Sequence, residues 1–134
     1  MSVAVELQTL IFETLVADAD VGVLIGDRIY DGPPVDREFP CVTFGPDDST
    51  FDELREISTR TETVQLDVWS RDGARLRPCK QICDAIKAAL HHADLSLITH
   101  ALVTIEIEGM RAFMDRDGRT AHGVVTVQAQ IEER

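Results

Sequence analysis

The strongest constraint on this chain is a two-residue rhythm in its second half. From Thr61 to Trp69, Val64, Leu66 and Val68 fall on one side, and Thr63, Gln65, Asp67 and Trp69 on the other. Successive strand side chains point to opposite faces, so this run reads as a half-buried strand. The rhythm returns twice. Val103, Ile105 and Ile107 alternate with Thr104, Glu106 and Glu108; Val125, Val127, Ala129 and Ile131 alternate with Thr126, Gln128, Gln130 and Glu132. These two runs predict a long hairpin over Leu102–Ile131, with turn chemistry in Asp115, Asp117 and Gly118. Gly109 breaks the first run and marks a candidate bulge. Such a sheet has one apolar face that must be covered and one polar face left for solvent or a partner.

The cover comes from helical spacing elsewhere. Ser2 is a suitable cap for a helix from Val3 to about Ala17, with Leu7, Leu10, Ile11 and Leu15 on one face, Val3 in line, and Glu6, Gln8, Glu13 and Thr14 making much of the opposite, wet side. Asp18, Asp20 and Gly22 break that pattern, and a short helical turn ending at Gly26 follows. A second helix starts near Arg77 and runs to about His91, burying Leu76, Cys79, Ile82, Cys83, Ile86 and Leu90. Pro78 then lies in its first turn, where a missing N–H costs nothing. Between the first helix and the Thr61 strand the chain is extended. Short strands are expected at Arg28–Tyr30 and Cys41–Gly45, separated by Pro33-Pro34. The acidic stretch Asp47–Ser58 reads as a mobile loop, although the spacing of Phe51, Leu54 and Ile57 also allows a short helix. The expected fold class is α+β in a single domain, 1–134. It has an antiparallel or mixed sheet of about four main strands with two helices packed on one face, in the order α-β-β-β-α-β-β.

Composition and spacing exclude several functions. Acids outnumber bases 24 to 13, a formal charge of -11, which argues against binding nucleic acid or an anionic membrane. No apolar run approaches the ~20 residues that span a bilayer. The opening MSVAVELQTL has no basic region and carries Glu6, so it does not read as a signal peptide. Three cysteines, Cys41, Cys79 and Cys83, are an odd number and read as reduced thiols. Cys79 and Cys83, one helical turn apart, would make half a zinc site that His91, His92 or His100 completes, but both fall on the apolar stripe and read as core. Asp115-Arg116-Asp117-Gly118 resembles the opening of a calcium loop but lacks the later oxygen ligands. His122, Asp67 and Ser70 are the residue types of a hydrolytic triad, yet no nucleophile elbow supports them and nothing is expected to bring them within reach. No phosphate-binding glycine loop is present. The expectation is no enzyme, no cofactor and no metal.

The charge is uneven. Residues 1–60 hold 13 acids and 4 bases, while residues 61–134 hold 11 acids and 9 bases. Of the bases, 11 are Arg, a residue enriched at interfaces. Arg111, Arg116 and Arg119 gather about the last hairpin, next to Asp117. Asp31, Asp36, Asp47 and Asp48 represent the acidic half. These eight residues are the candidate interface: opposite patches on one chain can meet head-to-tail and close a ring or run on as a filament. A solvated surface with local ion pairs is the other reading.

Three stretches carry a family resemblance. They are Gly26-Asp27-Arg28-Ile29-Tyr30-Asp31-Gly32-Pro33-Pro34 with Phe39-Pro40-Cys41-Val42-Thr43; Val64-Gln65-Leu66-Asp67-Val68-Trp69-Ser70-Arg71; and Gly109-Met110-Arg111 with Asp117-Gly118-Arg119-Thr120-Ala121-His122-Gly123. Over nearly its whole length the chain resembles the tail-completion, or tail-terminator, proteins of long-tailed phages and gene transfer agents, and is most like the gene transfer agent terminators. The resemblance implies an α+β subunit in a homo-hexameric ring at the tail–neck junction of a phage-like particle, assembled in the bacterial cytoplasm. Such a ring caps the tail tube, ends its growth, and contacts tail-tube protein and a stopper or neck protein. Another neck component, a stopper or connector ring, is the alternative. No cofactor and no membrane contact are implied. DNA would cross the lumen without specific binding, and acidic groups on that wall would repel phosphate.

Overall fold

In the computed structural model, which describes residues 1–52 and 56–134, the alternating runs become one five-stranded sheet. The strands are β1 (Ile29–Tyr30), β2 (Cys41–Asp52), β3 (Thr59–Ser70), β4 (Ala101–Met114) and β5 (Ala121–Glu132). Their order across the sheet is β1-β2-β3-β5-β4. β1 runs parallel to β2, and every other pair is antiparallel. The class is α+β with a mixed sheet, as expected; the fifth strand is β1, only two residues long.

Register explains the core. Val64 pairs with Val127 and Leu66 with Val125, so the apolar rows of β3 and β5 merge into one face. Three helices, rather than two, bury that face: α1 (Val3–Ala17), α2 (Ala19–Ile25) and α3 (Arg77–Leu90). Ser2 Oγ accepts from the Val5 amide at 3.3 Å to start α1. Asp18 ends α1 and starts α2, its carboxylate accepting from the Val21 amide at 3.0 Å. Pro78 occupies the first turn of α3, and Cys79, Ile82, Cys83, Ile86 and Leu90 are buried against the sheet. α3 approaches β5 so closely that a Cβ on Gly123 would lie 2.7 Å from the sulfurs of both Cys79 and Cys83. That proximity is why this central position carries a glycine.

Three sequence expectations are corrected. Asp47–Asp52 is strand, not loop: β2 pairs with β3 from Asp47 opposite Val64 to Asp52 opposite Thr59. The long β3 supplies backbone partners along its length, and ladder pairing overrides the poor strand preference of the acids. A register shift between Phe44 and Asp47 accommodates Gly45 and Pro46. Leu54 lies outside the described residues. Val103 is not core: the register shifts between Leu102 and Thr104, and Val103 is 57% exposed while Ile105 and Ile107 are buried. The shift between Ile107 and Gly109 is the bulge that the glycine marked. Glu6, expected on the wet side of α1, is buried, and its carboxylate accepts from the Thr99 amide at 2.6 Å and the Thr99 hydroxyl at 2.5 Å.

Candidate functional site

The sheet face away from the helices is polar but not bare. His122 Nε2 and Asp67 Oδ1 lie 2.7 Å apart, and Gln65 Nε2 donates to the same oxygen at 2.9 Å. The Trp69 ring stacks on His122 with centroids 3.9 Å apart, and Phe113 tilts against His122 at 4.9 Å. Trp69 Nε1 donates to Thr43 Oγ1 at 3.0 Å. The backbone of β2 closes over Asp67: a Cβ on Gly45 would lie 2.6 Å from Asp67 Oδ2. Two members of the imagined triad therefore meet, contrary to the expectation that nothing would join them. Ser70 does not join them. It pairs with Ala121 in the row of Val68 and Leu66, on the opposite face, and it is buried. The acid–imidazole pair has no serine to activate, and it braces a planar cluster on the open face.

The candidate zinc residues are likewise spread apart. Cys79 and Cys83 face Gly123 in the core. His91 Nδ1 accepts from the Ile107 amide at 2.9 Å, and His100 Nδ1 accepts from the Arg134 amide at 3.1 Å. Among the described residues no three His, Cys, Asp or Glu side chains converge.

The eight candidate interface residues divide between two edges of the sheet. Arg111 is exposed on β4, the strand at one edge, and Arg116 and Arg119 are exposed on the β4–β5 turn. Asp117 sits in that turn but is occupied within it. Its carboxylate accepts from the Thr120 hydroxyl at 2.6 Å and from the Thr120 and Arg119 amides, both at 2.9 Å. Those bonds hold its pKa down at about 2 and make it a turn-former rather than a calcium ligand. Asp31 and Asp36 are exposed in the segment joining β1 to β2, and Asp31 accepts from Gln8 Nε2 at 2.9 Å. Asp47 and Asp48 are exposed on β2, beyond the two residues that β1 covers. Asp47 pairs with Val64 and faces the same side as buried Glu62, whose carboxylate accepts from Ser49 Oγ at 2.5 Å and Arg60 Nε at 2.7 Å. Partial desolvation of its carboxyl, and then the Glu62 carboxylate beside it, push Asp47 up to about 6 although the residue as a whole is exposed. Arg111, Arg116 and Arg119 thus lie at one edge of the subunit, with Asp117 engaged among them, and Asp31, Asp36, Asp47 and Asp48 lie at the other.

Two features escaped the sequence reading. A groove of about 310 Å³ opens between α3 and β4, lined by Lys80, Cys83, Asp84, Met110, Arg111 and Ala112. Val35, between β1 and β2, is 103% exposed. The only sequence signal for the second was an isolated valine among prolines and acids; the first depends on how a helix lies along a strand.

Comparison with known proteins places these features in context. The family model described as "Tail completion protein gp17" matches residues 9–132. A chain from a solved structure titled "Virion of native gene transfer agent (GTA) particle" is 25% identical and superposes with a TM-score of 0.88, covering 98% of this chain and 98% of that one. The "Structure of bacteriophage SPP1 gp17 protein" shares the fold with a TM-score of 0.62 at 21% identity, covering 94% of this chain and 88% of that one. A comparison with curated protein sequences finds no match.

Proposed function

This chain belongs to the tail completion protein gp17 family, and on that premise we propose that it is a tail terminator. The family is one of structural phage proteins, so the chain is a structural component of a phage-like particle and not an enzyme. In our reading six copies form a ring that caps the tail tube and stops its polymerisation. One face of the ring meets tail-tube protein and the other a stopper or neck protein, and DNA crosses the lumen without specific binding. Assembly takes place in the bacterial cytoplasm.

The observation that carries the ring is the division of charge. Arg111, Arg116 and Arg119 lie at the β4 edge, whereas Asp31, Asp36, Asp47 and Asp48 lie at the β1–β2 edge. Opposite edges of one subunit meet head-to-tail, and a head-to-tail contact closes into a ring when the rotation permits. Exposed ion pairs contribute only about 0–1 kcal/mol each, so one substitution should not abolish assembly. Arg116→Glu with Arg119→Glu turns attraction into repulsion at every subunit contact. Particles made with this double variant, imaged by electron microscopy, should show overlong tails, with or without heads, while the isolated subunit stays folded. Tails of normal length joined to heads would refute the assembly surface. Tails of normal length lying free of heads would favour a stopper or other neck component.

A further inference from the structure

We propose that the Val35 loop of one subunit seats in the groove between α3 and β4 of the next, an assignment that rests on the ring reading and specifies its contact. The groove has an apolar floor of Cys83, Met110 and Ala112 and a rim carrying Lys80 against a single acid, Asp84; Arg111 lines its β4 side, with its guanidinium over the Phe113 ring at 5.1 Å. The segment leading into α3 is basic: residues 75–80 hold three bases and no acid, and Arg116 and Arg119 stand on the β4–β5 turn. A complementary occupant needs an apolar tip flanked by carboxylates.

The loop 31–40 is such an occupant. Val35 protrudes fully at its tip, and Asp31, Asp36 and Glu38 are exposed around it. Its one base, Arg37, is half-buried with its guanidinium over the Phe39 ring at 5.4 Å, so the surface presented outward is negative. The base of the loop is held in place. Arg71 packs over Phe39 at 4.2 Å, and Arg28 Nε donates to the Pro40 carbonyl at 2.8 Å. Pro33 and Pro34 restrict the backbone before the tip, which reduces the ordering cost of docking.

Register links the strand that feeds the loop to the floor of the groove. Ile29 pairs with Val42, Val42 with Val68, Val68 with Gly123, and Gly123 with Ala112. One row therefore runs from the strand that feeds the loop to the floor of the groove, four strand spacings or about 19 Å across. A knob near one edge and a hole at the other repeat head-to-tail, and such a contact closes into a ring when the rotation permits.

The test uses assembled particles in which Val35 is replaced by the photo-crosslinking residue p-benzoylphenylalanine. After irradiation, digestion and mass spectrometry, the expected adduct joins two copies of this chain through residues 80–84 or 110–112. Lys80→Glu with Arg111→Glu should lower its yield at least about tenfold by placing acids against acids, and adding Asp36→Lys with Glu38→Lys should restore it. An adduct elsewhere on a second copy, an adduct on another particle protein, or no adduct would overturn the docking. Averaged images of the same particles separate the two readings. A ring at the tail end without the expected adduct removes only this contact, and the absence of a ring removes both.

Discussion

Replacing Gly123 with alanine adds one methyl group where β5 passes under α3. Its Cβ would lie 2.7 Å from each of the Cys79 and Cys83 sulfurs and 3.1 Å from Val68 Cβ. Ordinary contacts between heavy atoms of this kind are about 3.5–4.0 Å, so both sulfurs must retreat by about 1 Å. They cannot do so independently, since each side chain is short and buried in a filled core. The helix itself has to move. Overpacking costs about 1–3 kcal/mol, and three simultaneous close approaches put this change in the upper half, about 2–3 kcal/mol. For 134 residues the unfolding entropy near 60 °C is about 0.28 kcal/mol per degree, so Tm should fall by about 7–11 °C. Calorimetry and urea titration measure the loss. The cause is isolated by a second background, Cys79→Ala with Cys83→Ala, which removes both sulfurs. There Gly123→Ala should cost clearly less, since only the 3.1 Å approach to Val68 Cβ remains, and the difference is the coupling energy. A Gly123→Ala protein that melts with its parent, or an equal loss in both backgrounds, would refute the close-approach argument.

Three further outcomes follow from the same geometry. Ile105→Asp buries a charge and should cost several kcal/mol of the ~5–15 typical of a domain, whereas Val103→Asp, two residues away but exposed at the bulge, should change stability by less than about 0.5 kcal/mol; equal urea midpoints would mean that the bulge is misplaced. Asp47 binds its proton more tightly in the folded than in the unfolded chain, so it contributes a stability that fades as pH rises through the window up to about 6. Asp47→Asn should flatten that part of the pH–stability curve and gain on the parent toward pH 7, and denaturation midpoints that keep the parent's slope would contradict it. Asp67→Ala strips the partner from both Gln65 and His122 and should cost about 1–3 kcal/mol; thermal melts unchanged by it would show that the open-face cluster does not brace the sheet.

The elements whose signals are local were legible in the sequence. Ser2 caps α1, Pro78 lies in the first turn of α3, and the alternation of Val64, Leu66 and Val68 with that of Val125 to Ile131 sets one buried face. What escaped was decided by partners distant in sequence. Asp47 to Asp52 are strand because β3 stands beside them, a fact that no propensity at those positions carries. Val103 keeps the alternating pattern and yet is exposed, because a bulge shifts its register. The Asp67–His122 pair joins residues 55 positions apart through the β3–β5 ladder. At the candidate interface, the sequence revealed the charge imbalance and its arginines. It did not reveal that Asp117 is engaged by its own turn, or that an exposed valine and a groove lie on opposite edges.

The position of β5 has a consequence for how the molecule comes into being. It follows every other strand in chain order, yet it lies between β3 and β4. During synthesis the ribosome therefore releases β1 to β4 before the strand that joins them exists. The β2–β3 hairpin can form early from near neighbours, but β3 and β4 each keep an open ladder and have no common floor for α1, α2 and α3. Such a nascent chain exposes apolar rows and is a natural client for a chaperone. Emergence of Ala121–Glu132 closes both ladders together, so the final strand commits the whole sheet in one event. A chain interrupted before Ala121 lacks the strand that β3 and β4 share, so it has neither ladder closed.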